Sequence, residues 1–288
     1  MSWRIVVIST SAKLDYSMGY MVVRRDTVTK IHINEIHTVM IETTAVSMTA
    51  ALLSELTKHK VKVIFCDEKR NPSSELVPYY GSHDTSHKVR NQIAWSKDIK
   101  TAVWTEIVSE KIRNQMKVLE DFGKQEQEML RDYISNIEFG DTTNREGHAA
   151  KVYFNALFGK DFSRSVECNI NAALNYGYSI ILSAFTREIA ANGYITQLGL
   201  FHDNMFNQFN LASDFMEPFR TLVDRKVLTM SIVEFESEEK MELVNLLNQE
   251  VCINGRHEYV VNAIKVYTRS IFDALEENDV SLIRFYEL

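Results

Sequence analysis

Two stretches of this chain combine residue types that could do chemistry. Residues 202–220, HDNMFNQFNLASDFMEPFR, set His202, Asp214 and Glu217 among mainly aromatic and apolar side chains. Asp214 and Glu217 are three apart, so on a helix their carboxylates would point the same way. His202 arrives on a loop-like approach after Gly193 and Gly199. Imidazole plus carboxylate in one pocket suits Mg²⁺ or Mn²⁺, because both favour oxygen donors and Mn²⁺ also accepts nitrogen. The same spacing also spells a capping box, in which Asp214 caps a helix and Glu217 reaches back to its backbone N–H. Pro218 fits a plain first turn poorly, since it disfavours helical geometry at Glu217 and removes a donor.

The second stretch, TTNREGHAAKVYFNALFG (142–159), places Glu146 before Gly147 and an apolar helical pattern at Ala149, Ala150, Tyr153 and Leu157. A lone Glu at a helix start can simply complement the helix dipole. Taken together, Glu-Gly-x-x-Ala-x-x-Tyr, then His, then Leu-Ala-x-Asp-x-x-Glu-x-Phe-Arg resembles the CRISPR-associated spacer integrases, the Cas-one family, and most of all their type II-A branch. The resemblance extends over nearly the whole chain, including Phe65-Cys66-Asp67 with Pro72 beyond it. It departs at Thr221, where many members carry proline. It implies metal ligands at Glu146, His202 and Glu217, with Asp214 orienting a ligand or a bound water. The implied chemistry is transesterification, in which the 3′-hydroxyl of a captured DNA fragment attacks a phosphodiester of the CRISPR repeat. The implied partners are double-stranded DNA, a second copy of the chain in a homodimer, and a bridging Cas-two dimer. Further acquisition proteins and the effector nuclease belong to the type II-A branch. The same ligands would also serve a metal-dependent nuclease that hydrolyses branched or single-stranded DNA without integrating it. A non-catalytic DNA-binding scaffold is the rival from another class.

Around these stretches the sequence reads as α+β, a small β-rich domain followed by a larger all-helical one. The boundaries fall at 1–75, a connector at 76–90, and 91–288. Residues 2–42 hold four segments rich in Val, Ile and Thr that read as strands. SMTAALLSELTKHK (47–60) switches to helical period, and VKVIFCD (61–67) returns to a buried strand. The stretch 68–88 has the Pro, Ser, Asn and Asp of a loop. From 89 the pattern is helical: two long helices to 137, one opened by Glu146, and a nearly all-round apolar one at 163–192. The carboxylate helix at 210–228 and a last helix at 256–278 follow. Asn169, Asn171 and Asn175 on the apolar helix read as buried, partnered amides or as amides beside a phosphate.

Composition is that of an ordinary soluble globular chain, with 45% apolar and 25% charged residues. Cys66, Cys168 and Cys252 are widely spaced and odd in number, which favours reduced thiols in the cytoplasm. MSWRIVVIST has no signal-peptide anatomy, and no apolar run reaches the length of a membrane span. Phosphate-loop, dinucleotide-fold and serine-hydrolase motifs are absent. The net charge of −7 argues against nucleic acid, but its distribution is uneven. Residues 1–100 carry 14 basic against 10 acidic side chains, whereas 231–288 carry 5 against 12. Arg24, Arg25, Lys69, Arg70, Lys88 and Arg90 are therefore the candidate DNA contacts, with Tyr79 and Tyr80 as stacking platforms. The same residues also fit a polar loop and ordinary solvated faces. His83 and His87 lack an acidic or cysteine partner that would make them a metal pair.

Overall fold

A computed structural model describes residues 4–68, 70–78, 82–230 and 232–288. Lys69, Tyr79 and Tyr80, three of the candidate contacts, lie outside the described residues. The chain divides into two compact units between His83 and Asp84.

The first unit is built from eight strands and one helix. They run β1 (Arg4–Ile8), β2 (Ala12–Ser17), β3 (Tyr20–Arg24), β4 (Val28–His32), β5 (Ile36–Ile41), β6 (Val46–Met48), α1 (Ala50–Lys58), β7 (Lys62–Cys66) and β8 (Pro72–Leu76). β1, β5 and β7 pair in parallel, and β8 closes that sheet antiparallel to β7. The second sheet has the order β4-β3-β2-β6, antiparallel except where β2 meets β6. β5, IHTVMI, is buried at every residue, as a continuous apolar run in a parallel strand requires. Thr49 caps α1 through Leu52 N–H, and Leu52 and Leu56 turn inward. There they join Leu14, Met21, Ile36, Val39 and Val63 in one core. β8 falls inside the stretch read as a loop. It is an edge strand of polar sequence, PSSEL, and its proline sits at the first position, where a missing N–H is tolerated.

The second unit begins with α2 (Thr85–Ala94), so residues 85–90 of the expected connector are helical. It continues with α3 (Lys97–Asp121), α4 (Gln127–Ser135), α5 (Arg145–Phe158), α6 (Asn169–Ala191), α7 (Asn210–Phe215), α8 (Arg220–Thr229) and α9 (Ser237–Val244). β9 (Glu250–Ile253), β10 (Arg256–Tyr259), α10 (Val260–Glu277) and β11 (Tyr286–Glu287) complete it. The expected pair of long helices over 89–137 is three. Ser96 stops α2 from running on by capping α3 through Ile99 N–H, and Gly123 at φ 65° ends α3. The expected all-helical unit also needs correction, because β10, β9 and β11 form an antiparallel sheet. Asn254 and Gly255, with φ of 52° and 69°, make the tight turn between β9 and β10. Asn-Gly at such a turn is a strong hairpin signal, and the helical reading of 256–259 passed over it.

α3 is the hub of this unit, packing on α4, α5, α8 and α10. It buries Val103, Trp104, Ile107, Ile112, Val118 and Leu119. It also buries three polar side chains, Lys111, Asn114 and Gln115. α6 packs on α7, α8, α9 and α10 and buries residues around its circumference, in keeping with its apolar sequence. Of its three asparagines only Asn171 is buried, donating to the carbonyls of Ser163 and Val166. The helix expected over 210–228 is broken. α7 ends at Phe215, residues 217–219 make a 3₁₀ turn, and α8 starts at Arg220. Pro218 is the cause, since it cannot continue the helical hydrogen-bond ladder.

Gly177 marks where α6 and α8 touch. A Cβ there would lie 2.4 Å from Val223 Cγ1, so the two helices approach as closely as they do only because that atom is missing. Gly177→Ala is expected to cost about 1–3 kcal/mol by overpacking, read as a lower midpoint in chemical denaturation. A midpoint equal to wild type would show that the contact relaxes freely.

Candidate metal centre

Glu146 sits in the first turn of α5, and its surroundings explain why it is not a helix cap. The Asp141 carboxylate accepts from Arg145 N–H (2.7 Å) and Glu146 N–H (3.0 Å), and Asn144 Oδ1 accepts from Gly147 N–H. The orphan donors of the helix start are thus already satisfied. The Glu146 side chain turns instead to α3, where Lys111 Nζ donates to its Oε1 at 2.6 Å.

Glu217 approaches the same ammonium from the turn after α7. Its Oε2 lies 2.5 Å from Lys111 Nζ, and its Oε1 accepts from Arg220 Nε at 2.8 Å. The contact to Lys111 is a close, buried ion pair, and it occupies Oε2. The turn itself is pinned by the Pro218 carbonyl. It accepts from Asn114 Nδ2, Thr221 Oγ1 and the Tyr286 hydroxyl at 3.0–3.2 Å. Burial pulls the Lys111 ammonium down, but Glu217 and then Glu146 outweigh it and hold its pKa above the ordinary lysine value. Burial likewise pushes Glu217 up, yet Arg220 and Lys111 hold that carboxyl well below the usual carboxylate range. Removing one member of such a buried cluster typically costs about 3–5 kcal/mol, because a charge is left uncompensated.

His202 is oriented by Asp214. The Asp214 carboxylate is fully buried and accepts from the N–H groups of Leu200, Phe201 and His202. It also lies 2.5 Å from His202 Nδ1, which fixes the proton on Nδ1 and leaves Nε2 as the ring's acceptor. The hydrogen bond to Asp214 raises the imidazole pKa against the opposing effect of burial, and the charges of Asp214, Glu217 and Glu146 add to the rise. Trp104 packs edge-on to the ring and stacks on Phe201 at 4.5 Å. Gly199 makes the loop possible, because a Cβ there would meet the His202 carbonyl at 2.3 Å and Asp214 Oδ2 at 2.8 Å. Asp214 and Glu217 therefore do not point the same way. Nor do they form a capping box, since Asp214 lies inside α7 and accepts from the loop ahead of it.

The structure thus brings Glu146 and Glu217 onto one cation and sets His202 within their electrostatic reach. As the side chains stand, no group of three or more His, Cys, Asp or Glu among the described residues is gathered closely enough to hold a metal ion. In donor type the set still fits one: two buried or half-buried carboxylates that already converge on a cation, and an imidazole with its outer nitrogen free to ligate. Sequence reasoning missed Lys111, which nothing but its place on the apolar face of α3 could have signalled. It also missed Asp224, buried behind Glu217 and accepting from the Tyr178 hydroxyl. Arg220 lies 4.7 Å over the ring of that tyrosine.

The candidate DNA contacts are scattered. Arg24 pairs with Asp15 at 2.6 Å, Arg70 lies 3.9 Å from Glu42, and Lys88 donates to Glu276 at 2.8 Å. Arg25 and Arg90 are exposed, as are His83 and His87. Arg24 and Arg25, with Lys13, line an open groove at one end of the second sheet.

The sequence profile of the family described as CRISPR associated protein Cas1 matches residues 5–234. The chain belongs to the Cas1 family. It is 31% identical to the CRISPR-associated endonuclease Cas1 of Neisseria meningitidis serogroup C, covering 100% of this chain and 97% of that one. Its fold is similar to that of a casposase bound to integration product, with a TM-score of 0.76 at 18% identity over 98% of this chain and 93% of the other. It is also similar to a chain of a Cas6-RT-Cas1–Cas2 complex, with a TM-score of 0.74 at 19% identity. That match covers 97% of this chain and 36% of the longer one. The Cas1 fold therefore accounts for the β-rich first unit and the mainly helical second one. Among the described residues no helix is long and apolar enough to cross a membrane, and Cys66, Cys168 and Cys252 form no disulfide.

Asp224 gives the centre a testable pH signature. Burial pushes its carboxyl from the ordinary 3.8 up to about 6, although Tyr178 donates to it. The folded protein then keeps a proton that the unfolded chain has released, so this group's contribution is full below about pH 4 and is lost as pH rises through about 6. The shift corresponds to about 3 kcal/mol. Asp224→Asn is expected to flatten the fall in unfolding free energy across that window. A variant curve with the wild-type slope there contradicts the assignment.

Proposed function

We propose that this Cas1-family chain is a divalent-metal-dependent DNA endonuclease and integrase. On this reading it inserts captured DNA fragments into a CRISPR array by 3′-hydroxyl attack on a repeat phosphodiester. The observation that carries the reading is the convergence of Glu146 and Glu217, from separate elements, on one buried cation beside the Asp214-held His202. The names of its relatives support it: an endonuclease, a casposase on integration product, and a complex that contains Cas2. A homodimer bridged by a Cas2-type partner and acting on double-stranded DNA is part of the proposal. So is membership of the type II-A branch, on the motif string quoted above.

Glu146, His202 and Glu217 would hold the ion. Bound Mg²⁺ or Mn²⁺ supplies Lewis-acid polarisation of the scissile phosphate and stabilises charge on the attacking and leaving oxygens. Asp214 keeps the His202 proton on Nδ1, so the ring offers a neutral nitrogen, and it holds the loop that carries the ring. Arg220 keeps Glu217 ionised from its Oε1 side, so that Oε2 faces Lys111 and the centre. Trp104 and Phe201 wall the imidazole on its apolar sides.

Glu146→Ala, His202→Ala and Glu217→Ala are each expected to abolish strand transfer into a repeat-bearing plasmid with the Cas2 partner and Mn²⁺. Ligands of one ion act as a unit, so double variants should be hardly worse than singles. Asp214→Ala should weaken metal affinity roughly 10–100-fold. A Glu217→Ala protein that integrates at near wild-type rate would instead favour a structural role and a non-catalytic scaffold. Cleavage without strand transfer would point to the hydrolytic nuclease.

A further inference from the structure

The side chain that holds the two carboxylates together is a competitor for their ligand. Lys111 is 8% exposed and touches both Glu146 and Glu217 within 2.6 Å. An ammonium and a divalent cation cannot share that place, because like charges so close in a buried site repel strongly. The ion can enter only if the ammonium leaves. A lysine stem is long and flexible enough to do so, and α3 offers it somewhere to go.

Gln115 lies one helical turn beyond Lys111, on the same face of α3. It is 2% exposed, and among the described residues its Oε1 has no hydrogen-bond partner. A buried amide oxygen left unpaired costs free energy and calls for an explanation. Lys111 and Gln115 line one cleft of about 200 Å³, together with Arg164, Tyr178, Arg220 and Asp224. The cleft therefore holds room and an unused acceptor beside the lysine.

We infer that Lys111 is an internal counterion with two seats, bridging Glu146 and Glu217 in the metal-free protein and moving to Gln115 Oε1 when a divalent cation enters. The inference rests on the metal reading above and goes beyond it. Loading is an exchange of cations, in which the two carboxylates never face each other uncompensated. Metal affinity is set by the lysine as well as by the ligands.

The test is Mn²⁺ affinity of the full-length chain by isothermal titration calorimetry, with no DNA present. Lys111→Gln and Lys111→Met should bind Mn²⁺ tighter by about tenfold or more, since a competing unit charge is gone. Gln115→Leu should bind it about tenfold more weakly, because the displaced ammonium loses its acceptor. A wild-type arm needs no variant. Acetylation of Lys111 by acetic anhydride, read by mass spectrometry, should rise when Mn²⁺ is added, because the ammonium leaves its double ion pair. If the Lys111 variants fail to fold, this labelling decides the question. Unchanged affinity in the Lys111 or Gln115 variants, or flat labelling, overturns the inference while the metal reading stands. If neither wild type nor any variant binds Mn²⁺, both fall together.

Discussion

The second unit is arranged around one electrostatic constraint: two carboxylates brought into a largely buried site need a cation between them. Lys111 supplies it, and the surrounding contacts make sense as supports for that triad. Asp141 and Asn144 satisfy the start of α5, which frees the Glu146 side chain to face α3. Pro218 breaks the helix so that Glu217 leaves the axis of α7, and the three donors on the Pro218 carbonyl fix the break. Arg220 balances the far side of Glu217 and stacks on Tyr178. A buried charge cluster adds little net stability, since desolvation offsets most of its Coulomb gain. Its presence in a well-packed interior is better explained by chemistry than by folding.

His202 belongs to the same centre by a different device. It is carried on a loop in which the N–H groups of Leu200, Phe201 and His202 turn towards one buried aspartate, an arrangement that fixes ring orientation and proton position before any ligand arrives. The loop continues into Met205 and Phe206, both almost fully exposed.

Much of this was legible in the sequence because it rests on local pattern. β1, β3, β4, β5 and β7 follow from runs rich in Val, Ile and Thr, α1 from its period and its Thr49 cap, and α6 from its all-round apolar character, whereas β2 and the short β6, at the start of the stretch read as helix, were passed over. Glu146, His202 and Glu217 came together as a set through the resemblance to the Cas1 family, since residue type alone left a capping box and a helix-dipole partner open. What escaped depends on tertiary contact or on a signal outweighed by its neighbours. β8 is polar because it is an edge, and the β9–β10 hairpin was hidden behind a helical pattern despite its Asn-Gly turn. Asp214 and Glu217 looked like one helical pair, and only the break at Pro218 sends them to different partners. Lys111 lies 35 residues from Glu146 in sequence, and its place on the apolar face of α3 is its one mark of burial and does not name its partners.

The central claim is that the place now held by the Lys111 ammonium is a divalent-cation site. The most direct measurement is anomalous diffraction from crystals of the full-length protein soaked in Mn²⁺. The account predicts a single strong peak within ligand distance of Glu146, Glu217 and His202 Nε2, with the Lys111 side chain no longer between the carboxylates. A map in which Lys111 still bridges Glu146 and Glu217, with no Mn²⁺ peak beside them, would contradict it.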